Sequence, residues 1–381
     1  MSGGHDIVLV HDWLTGMRGG EKCLEPACRR WPEAKLFTAF HRRGSVSPAI
    51  ETLKPRASFL NRLPGASRYY RYLLPAFPMA ANWRIPDCDL VLSFSHCLAK
   101  AAKAPAGVPH VSYCFTPMRY AWHMRESYFA RGRFGKLKAA AVDGLLRRLR
   151  DWDRRTADGV THFLAISRTV RERIRECYGR DSTIVYPPVD TQFYTPTYEP
   201  REEFYLVVSA FAPYKRFDLA VEACSRTNRK LVVIGTGQDG AKLRQLAGPT
   251  VQFLGWQSDG VIRDHFRRAK ALLFPAEEDF GIVPVESQAC GCPVIAFGRG
   301  GGAETVRPLG VGEPTGVFFD EQNVDAVIAA MDQFERNEDR FDPRAARRHA
   351  LPFNAARYER ELFAYVDQVL TGQSETLRRA A

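Results

Sequence analysis

One stretch, Ala271–Phe297, reads ALLFPAEEDFGIVPVESQACGCPVIAF and determines the fold of the region around it. Ala271–Phe274 and Pro293–Phe297 are short apolar runs, which is typical of strands buried on both faces. Gly281 follows an acidic turn, and a helix is predicted to begin near Val283. A strand, a helix and a second strand in this order form one unit of a parallel sheet.

The same alternation continues in both directions along the chain. It predicts an α/β protein with two doubly wound parallel sheets. Ser167, a good N-cap, starts the helix after the last strand of the first half. The remaining strand runs are Tyr205–Ser209, Lys230–Ile234 and Val251–Leu254 in the second half, and Ile7–Val10, Leu90–Phe94, Pro109–Tyr113 and Phe163–Ile166 in the first.

A proline pair at Tyr186-Pro-Pro-Val-Asp190 interrupts this alternation, because consecutive prolines end regular structure. We therefore predict an N-terminal domain at 1–185 and a C-terminal domain at 186–350. Residues 351–381 are predicted to form an amphipathic helix that packs back on the N-terminal domain. A ligand of two such domains is expected in the cleft between them, at the carboxyl ends of the strands.

Composition excludes several classes of protein. With 45% apolar and 25% charged residues, the chain is neither disordered nor fibrous. No window approaches the roughly 18 apolar residues of a membrane span, and the start lacks the features of a signal peptide, so we expect a cytoplasmic protein. Nine cysteines without metal-ligand spacing predict neither a disulfide framework nor a zinc site, and no metal is expected.

The net charge of +11 is concentrated in one segment. Residues 54–155 hold 19 Lys and Arg against six Asp and Glu, and the rest of the chain is close to neutral. Bases alternate with aromatic residues at Arg68–Tyr72, and a second basic run starts at Arg131. This pattern suits an anionic membrane surface or nucleic acid, or it describes a solvated helix face over core tyrosines.

The acidic turn offers two carboxylates at the start of a helix. Glu278 precedes the predicted helix and Glu286 lies about one turn inside it, where the helix N-terminus attracts anions. The two side chains could bracket a sugar diphosphate and accept hydrogen bonds from hydroxyl groups. Alternatively, the acids only satisfy the helix N-terminus and Glu286 lies on a solvated face.

The run EDFGIVPVE, Glu278–Glu286, resembles the signature of the retaining glycosyltransferases of family 4. Other segments resemble this family in the expected order: Gly19-Gly20, Pro187–Asp190, Ser209–Lys215, Gly235–Gly237, Phe253–Gly255 and Gly298–Gly302. The similarity is greatest to the bacterial mannosyltransferase-like branch that builds surface polysaccharides. It implies the GT-B architecture, in which two Rossmann-like domains face each other across a cleft.

The resemblance also implies roles for the matching side chains. Glu286 would hold the nucleotide ribose, and Glu278 would contact the donor-sugar hydroxyls and support charge at the anomeric centre. Lys215 would neutralise the donor diphosphate, which is the leaving group. His96 matches a histidine that faces the donor sugar, although a histidine at a strand end is often structural.

Further positions match backbone or loop contacts of the family. Gly19 and Gly20 would approach the donor phosphate, or they form only a tight turn. Phe280 and Gly281 would hold sugar or phosphate, and Gly255-Trp256 would face the nucleotide base.

Two departures from the family pattern bear on activity. Ala210 stands where many members have an arginine that assists the lysine, and Arg216 could supply that charge instead. Phe115 stands where related sequences read His-Thr-Pro. Arg119, a few residues later, is our candidate for a contact to an acceptor phosphate.

Together these features predict a metal-independent hexosyltransferase with a nucleotide-sugar donor, GDP-mannose above others, and no cofactor. The predicted acceptor is a lipid-linked saccharide, reached from the inner face of the plasma membrane through the basic N-terminal domain. An alternative is a catalytically weak relative that scaffolds polysaccharide assembly. A nucleic-acid-binding protein rests on charge and aromatic residues alone.

Overall fold

A computed structural model describes residues 5–122 and 136–380 of the chain, apart from the side chains of 67–68, 70–72, 136–139 and 373–380. The chain divides into two compact units. Unit 1 comprises Met1–Pro187 and Tyr358–Ala381, and unit 2 comprises Pro188–Arg357. The predicted proline linker contains the boundary between them.

Unit 1 is built on a seven-stranded parallel sheet in the order β3-β2-β1-β4-β5-β6-β7. The chain starts in the middle of this sheet, builds outward to one edge and then returns to build the other, which is the doubly wound arrangement. Its strands are β1 Ile7–Leu14, β2 Lys35–His41, β3 Arg56–Ala57, β4 Leu90–Ser95, β5 His110–Cys114, β6 His162–Ala165 and β7 Ser182–Ile184.

Helices connect these strands. The α-helices that lie wholly in unit 1 are Gly19–Arg30, Pro48–Thr52, Ala66–Tyr69, Phe77–Ala80, Arg119–Trp122, Lys136–Ala157 and Arg168–Tyr178. Short 3₁₀ turns span Phe59–Arg62, Tyr70–Ala76 and Ala99–Ala101. Ser167 caps its helix as predicted, because its hydroxyl accepts a hydrogen bond from the Val170 amide at 3.0 Å.

Unit 2 repeats this plan with six parallel strands in the order β10-β9-β8-β11-β12-β13. The strands are β8 Tyr205–Val208, β9 Leu231–Ile234, β10 Val251–Gly255, β11 Ala271–Phe274, β12 Val294–Phe297 and β13 Gly316–Phe319. Its α-helices are Phe217–Arg226, Gly240–Leu246, Asp259–Arg268, Ile282–Ala289, Gly302–Thr305, Val324–Arg336 and Pro343–Ala350, with 3₁₀ turns at Pro213–Lys215, Glu338–Arg340 and Leu351–Phe353. The predicted fold class, two doubly wound α/β sheets, is confirmed.

The first strand is longer than its apolar run indicates. β1 continues through His11, Asp12 and Trp13 to Leu14, and all eight of its residues are buried. Apolar periodicity ends where polar side chains enter the strand, so the prediction stopped at Val10. This extension places Asp12 at the carboxyl end of a central strand, where α/β proteins bind ligands.

The C-terminal boundary differs from the prediction, which ended the second domain at residue 350. Unit 2 continues to Arg357, because Phe353 packs against Phe280 at 5.7 Å between ring centroids and accepts a hydrogen bond from the Val189 amide. The final helix, Ala355–Ala380, then enters unit 1. There Tyr358 is fully buried, and its hydroxyl donates to the Cys23 carbonyl at 2.8 Å.

Candidate active site

The acidic turn of unit 2 is shaped by Gly281. This glycine has a φ of 81°, a left-handed conformation that strains other residues, and it is the N-cap of the helix Ile282–Ala289. The helix begins one residue before the predicted start at Val283. Its first amides and its dipole therefore point toward the segment that contains Glu278.

Lys215 and Glu278 form an ion pair in this turn, although 63 residues separate them in the sequence. Lys215 ends the 3₁₀ turn after β8, and Glu278 follows β11, the neighbouring strand in the sheet. Both side chains are largely buried, with 9% and 17% of their surface exposed. Carboxyl ends of adjacent parallel strands thus bring together the two residues that the sequence predicted separately.

Glu286 lies about one turn inside the helix Ile282–Ala289 and is 8% exposed. It is therefore not on the solvated face that the alternative interpretation required. Burial, together with the charge of Glu286, raises the pKa of Tyr194, so the carboxylate lies within electrostatic range of that phenol.

The glycine loop after β12, Gly298–Gly302, packs against the backbone of the acidic turn. The Gly301 amide donates to the Glu278 carbonyl at 2.7 Å. A Cβ on Gly301 would overlap the backbone of Phe280, and one on Gly300 would lie 2.6 Å from the Glu278 carbonyl oxygen. The loop resembles a segment of the family, and the close approach of its backbone to the turn is the reason for glycine there.

Arg216, the residue after Lys215, forms an ion pair with Asp218. It adopts a left-handed conformation with φ of 52°, and its Nε donates to Asp218 at 3.2 Å. The guanidinium of Arg216 is therefore already paired with a carboxylate, and a role for its charge beside Lys215 stays a prediction. Asp218 was missed, because a single acid at a helix start carries no specific signal.

Gly255 is the last residue of β10, at the carboxyl end of the same sheet, and Trp256 follows it. Gly255 has a φ of 70°, and its carbonyl accepts a hydrogen bond from the Gly235 amide at 2.8 Å. Trp256 is 75% exposed, the highest value among the large apolar side chains of the described residues. An indole so placed is available to stack on a planar ligand.

In unit 1 the prominent feature is a pair formed by Asp12 and His96, at the ends of the adjacent strands β1 and β4. His96 Nδ1 lies 2.7 Å from Asp12 Oδ2. Burial alone would raise the pKa of the Asp12 carboxyl, but the His96 charge and hydrogen bonds from its ring and backbone lower it to about 2. Asp12 was not predicted as a site residue, because it lies beyond the apolar run of β1.

Gly20 lies in the first turn of the helix Gly19–Arg30, close to a buried histidine. A Cβ on Gly20 would lie 3.2 Å from His11 Nε2 and 3.5 Å from the Phe115 ring. Burial lowers the pKa of His11, which keeps its ring neutral. Close packing therefore accounts for the glycine whether or not a phosphate binds there.

The remaining predictions for unit 1 are only partly placed. Arg119 begins the short helix Arg119–Trp122 after β5 and is half-buried. The basic run that starts at Arg131 lies outside the described residues up to residue 135, as do the side chains of Arg68 and Tyr70–Tyr72.

Residues 5–122 and 136–380 contain no group of three or more His, Cys, Asp or Glu side chains placed to hold a metal ion. Within the same residues, no helix has the length and apolarity needed to cross a bilayer.

The fold of both units is shared by solved structures. Sucrose-phosphate synthase from Thermosynechococcus elongatus superimposes with a TM-score of 0.71 at 17% identity, covering 96% of this chain and all of that structure. Anabaena HepE in complex with UDP and glucose gives 0.67 at 15% identity over 96% of this chain and all of that structure. This likeness assigns the α/β two-domain GT-B fold.

Family models and relatives agree with the GT-B fold. The model described as Glycosyltransferase Family 4 matches residues 28–193, and that described as Glycosyl transferases group 1 matches residues 192–350. The chain belongs to the family 4 glycosyltransferases, a family of enzymes.

Two curated relatives illustrate this membership. A GDP-mannose-dependent phosphatidylinositol monomannoside mannosyltransferase of Mycobacterium tuberculosis is 28% identical over 49% of this chain and 56% of its own length. A D-inositol 3-phosphate glycosyltransferase of Gordonia bronchialis is 28% identical over 53% of this chain and 51% of its own length. The chain spans about half the length of these curated relatives.

Proposed function

We propose that this chain is a retaining, metal-independent hexosyltransferase that moves mannose from GDP-mannose to a lipid-linked saccharide in cell-surface polysaccharide synthesis. The observation that carries the proposal is the Lys215–Glu278 pair at the start of the helix Ile282–Ala289. It places one cation, one carboxylate and a helix N-terminus at the carboxyl ends of two adjacent strands of the sheet. These groups suit transfer from a nucleotide sugar, because negative charge develops on the diphosphate and positive charge on the sugar.

Each group has a distinct task in this proposal. The Lys215 ammonium and the amides at the start of the helix stabilise the departing diphosphate. Glu278 accepts hydrogen bonds from sugar hydroxyls and faces the anomeric carbon, and buried Glu286 binds the ribose hydroxyls. Trp256 stacks on the base. When the diphosphate binds, Lys215 exchanges part of its contact with Glu278 for the phosphate oxygens.

The donor assignment is supported by the names of relatives. The Mycobacterium tuberculosis relative and a Corynebacterium glutamicum relative, 32% identical over 31% of this chain, are both named as GDP-mannose-dependent mannosyltransferases. The HepE structures contain UDP or UDP-glucose. We therefore propose a nucleoside diphosphate sugar as the class of donor and GDP-mannose as the donor itself.

The membrane assignment rests on exposed charge in unit 1. Arg147, Arg148, Arg154 and Arg155 are exposed on the helix Lys136–Ala157. A spacing of seven residues places the two pairs on one face of that helix. We propose that this face binds anionic lipid at the inner surface of the plasma membrane, where a lipid-linked acceptor is found, and not nucleic acid.

The same cation supports our proposal that the reaction needs no metal ion. Lys215 and the helix N-terminus offset the charge of the diphosphate, a task that a divalent ion performs in other transferases. Activity in excess EDTA should equal activity in Mg²⁺, and its abolition by EDTA alone would exclude this part of the proposal.

The direct test is a panel of nucleoside diphosphates and nucleotide sugars. A ligand that binds only the native state raises the midpoint of thermal unfolding in proportion to its affinity. We expect GDP and GDP-mannose to give the largest shifts, and mass spectrometry to detect a mannosylated lipid-linked saccharide. Ligand shifts without any product would favour the scaffold function instead.

A further inference from the structure

The Asp12 carboxylate is fully buried and accepts four hydrogen bonds. Oδ1 accepts from the amides of Leu98 and Ala99 at 2.7 and 2.6 Å, and Oδ2 accepts from the His96 amide at 2.6 Å. The fourth donor is the His96 ring, through Nδ1 at 2.7 Å. One carboxylate therefore holds both the loop after β4 and the imidazole that this loop carries.

This contact determines where the neutral imidazole carries its proton. An ionised carboxylate has no proton to donate, so the ring nitrogen facing it must be the protonated one. In the neutral ring, His96 Nδ1 therefore carries the hydrogen and Nε2 retains its lone pair. The Trp13 ring meets the imidazole edge-on at 4.3 Å between centroids, which limits its rotation.

The ring is partly accessible at the edge where ligands bind. The His96 side chain is 30% exposed, whereas Asp12 is not exposed at all. His96 follows β4 at the carboxyl end of the sheet of unit 1. An acceptor nitrogen in this position suits a hydroxyl group, which donates one hydrogen bond.

We propose that Asp12 is a positioning residue that orients His96 so that Nε2 accepts a hydrogen bond from a saccharide hydroxyl bound at this edge. This inference rests on the proposed function, because that function supplies the saccharide acceptor. Asp12 itself does not touch the saccharide, and it acts only through the imidazole.

The tautomer can be observed directly in the full chain. Two-bond ¹H–¹⁵N correlation spectra of the ¹⁵N-labelled protein should show His96 with Nδ1 protonated and Nε2 bare. In Asp12→Asn the amide group can donate to Nδ1, so the proton should move to Nε2. Nε2–H in the wild-type chain would overturn the proposal.

Kinetics separate positioning from simple stability. Asp12→Asn should lower kcat/KM for the saccharide acceptor about ten-fold, the value of one hydrogen bond. His96→Ala, which keeps the backbone contacts of Asp12, should have a similar effect. In the double variant the losses should not multiply. Equal losses from Asp12→Asn with and without His96 would show that Asp12 acts on folding alone.

Asp89→Asn is the matched control. Asp89 also accepts a backbone hydrogen bond, from Asp6 at 2.8 Å, and contacts the ring of His5 at 3.4 Å. It lies at the amino end of β4, however, and His96 lies at the carboxyl end. This variant should leave kcat/KM unchanged. If no donor in the panel supports transfer while His96 shows the Nδ1–H form, the proposed function fails and the orientation of His96 by Asp12 stands.

Discussion

At the scale of single residues, the Lys215–Glu278 pair concentrates the chemistry of unit 2. A largely buried carboxylate and a largely buried ammonium are each costly to desolvate, and their contact offsets that cost. A site arranged in this way is preorganised for a ligand that carries both negative phosphates and hydroxyl groups.

We expect Lys215→Ala to abolish binding of nucleoside diphosphates and to reduce transfer by about 100-fold or more, because the leaving group loses its cation. Isothermal titration with GDP and a transfer assay measure the two effects. Lys270→Ala is the control, since Lys270 is similarly buried in unit 2 and pairs with Glu203 at 2.7 Å. Unchanged GDP affinity in Lys215→Ala would contradict the role of this lysine.

Trp256→Ala should weaken nucleotide binding about ten-fold, because stacking on a base contributes roughly 1–3 kcal/mol. The thermal unfolding midpoint should not change, since the indole is 75% exposed. Titration with GDP and differential scanning fluorimetry test the two statements. Tyr198→Ala, which removes another exposed aromatic ring of unit 2, should alter neither property.

At the scale of secondary-structure elements, the Gly298–Gly302 loop and the turn that contains Glu278 pack directly against each other. We expect Gly301→Ala to lower transfer strongly and to destabilise unit 2 by about 1–3 kcal/mol, because the new Cβ would overlap the Phe280 backbone. Urea unfolding and the transfer assay measure this.

Gly260→Ala provides the comparison for that variant. Gly260 lies inside the helix Asp259–Arg268, and its nearest neighbour to a new Cβ is 3.9 Å away. Alanine should be neutral or slightly stabilising there, because it has the higher helix propensity. Equal behaviour of the two variants would show that the approach of Gly301 to Phe280 does not matter.

His110, in strand β5, makes the stability of unit 1 depend on pH. Burial lowers the pKa of His110 to about 4, and its Nε2 lies 2.8 Å from Ser93 Oγ. Below pH 6.5 the unfolded chain binds a proton that the folded chain excludes. The contribution of His110 to stability is therefore complete above pH 6.5 and is lost as the pH falls toward 4.

Unfolding of unit 1 between pH 7 and 4 should consequently be less steeply pH-dependent in His110→Gln than in the wild-type chain. The difference should be on the order of 3 kcal/mol across the range. Denaturant titrations at several pH values measure it. His5→Gln, at an exposed position, should keep the wild-type slope.

At the scale of the whole molecule, the basic segment divides into two groups. Lys100 is buried and pairs with Asp153 at 2.6 Å, and Arg150 donates to the Ala121 carbonyl and lies over the Trp122 ring. These cations stabilise the fold around the helix Lys136–Ala157. Among the bases of this segment that the structure describes, the exposed ones, such as Arg147 and Arg154, are available to a partner.

Replacing Arg147, Arg148, Arg154 and Arg155 with Gln should weaken binding to anionic vesicles about ten-fold or more, because each cation near such a surface contributes to the attraction. Binding should decline with added salt. Vesicle sedimentation with phosphatidylserine measures both effects. The same number of Gln substitutions at exposed positions of unit 2, Lys242, Arg244, Arg336 and Arg340, should have little effect.

Much of the fold could be predicted from the sequence, because apolar runs and helix caps are local signals. Nine of the thirteen strands in the described part of the chain were predicted. The edge strands Arg56–Ala57 and Ser182–Ile184 were missed since they are short and only partly buried. Lys35–His41 and Gly316–Phe319 were missed since their runs stand beside charged, glycine or proline residues.

The sequence by itself determined the α/β alternation, the position of the linker and most of the candidate residues, because each depends on neighbours a few positions away. Only the tertiary structure decided which of those residues meet. Lys215 pairs with Glu278, and His96 pairs with Asp12. Gly301 donates a hydrogen bond to the turn that contains Glu278, just before the helix Ile282–Ala289. The physical reason is that a parallel sheet brings the ends of distant strands to one edge, whereas periodicity reports only the burial of each strand.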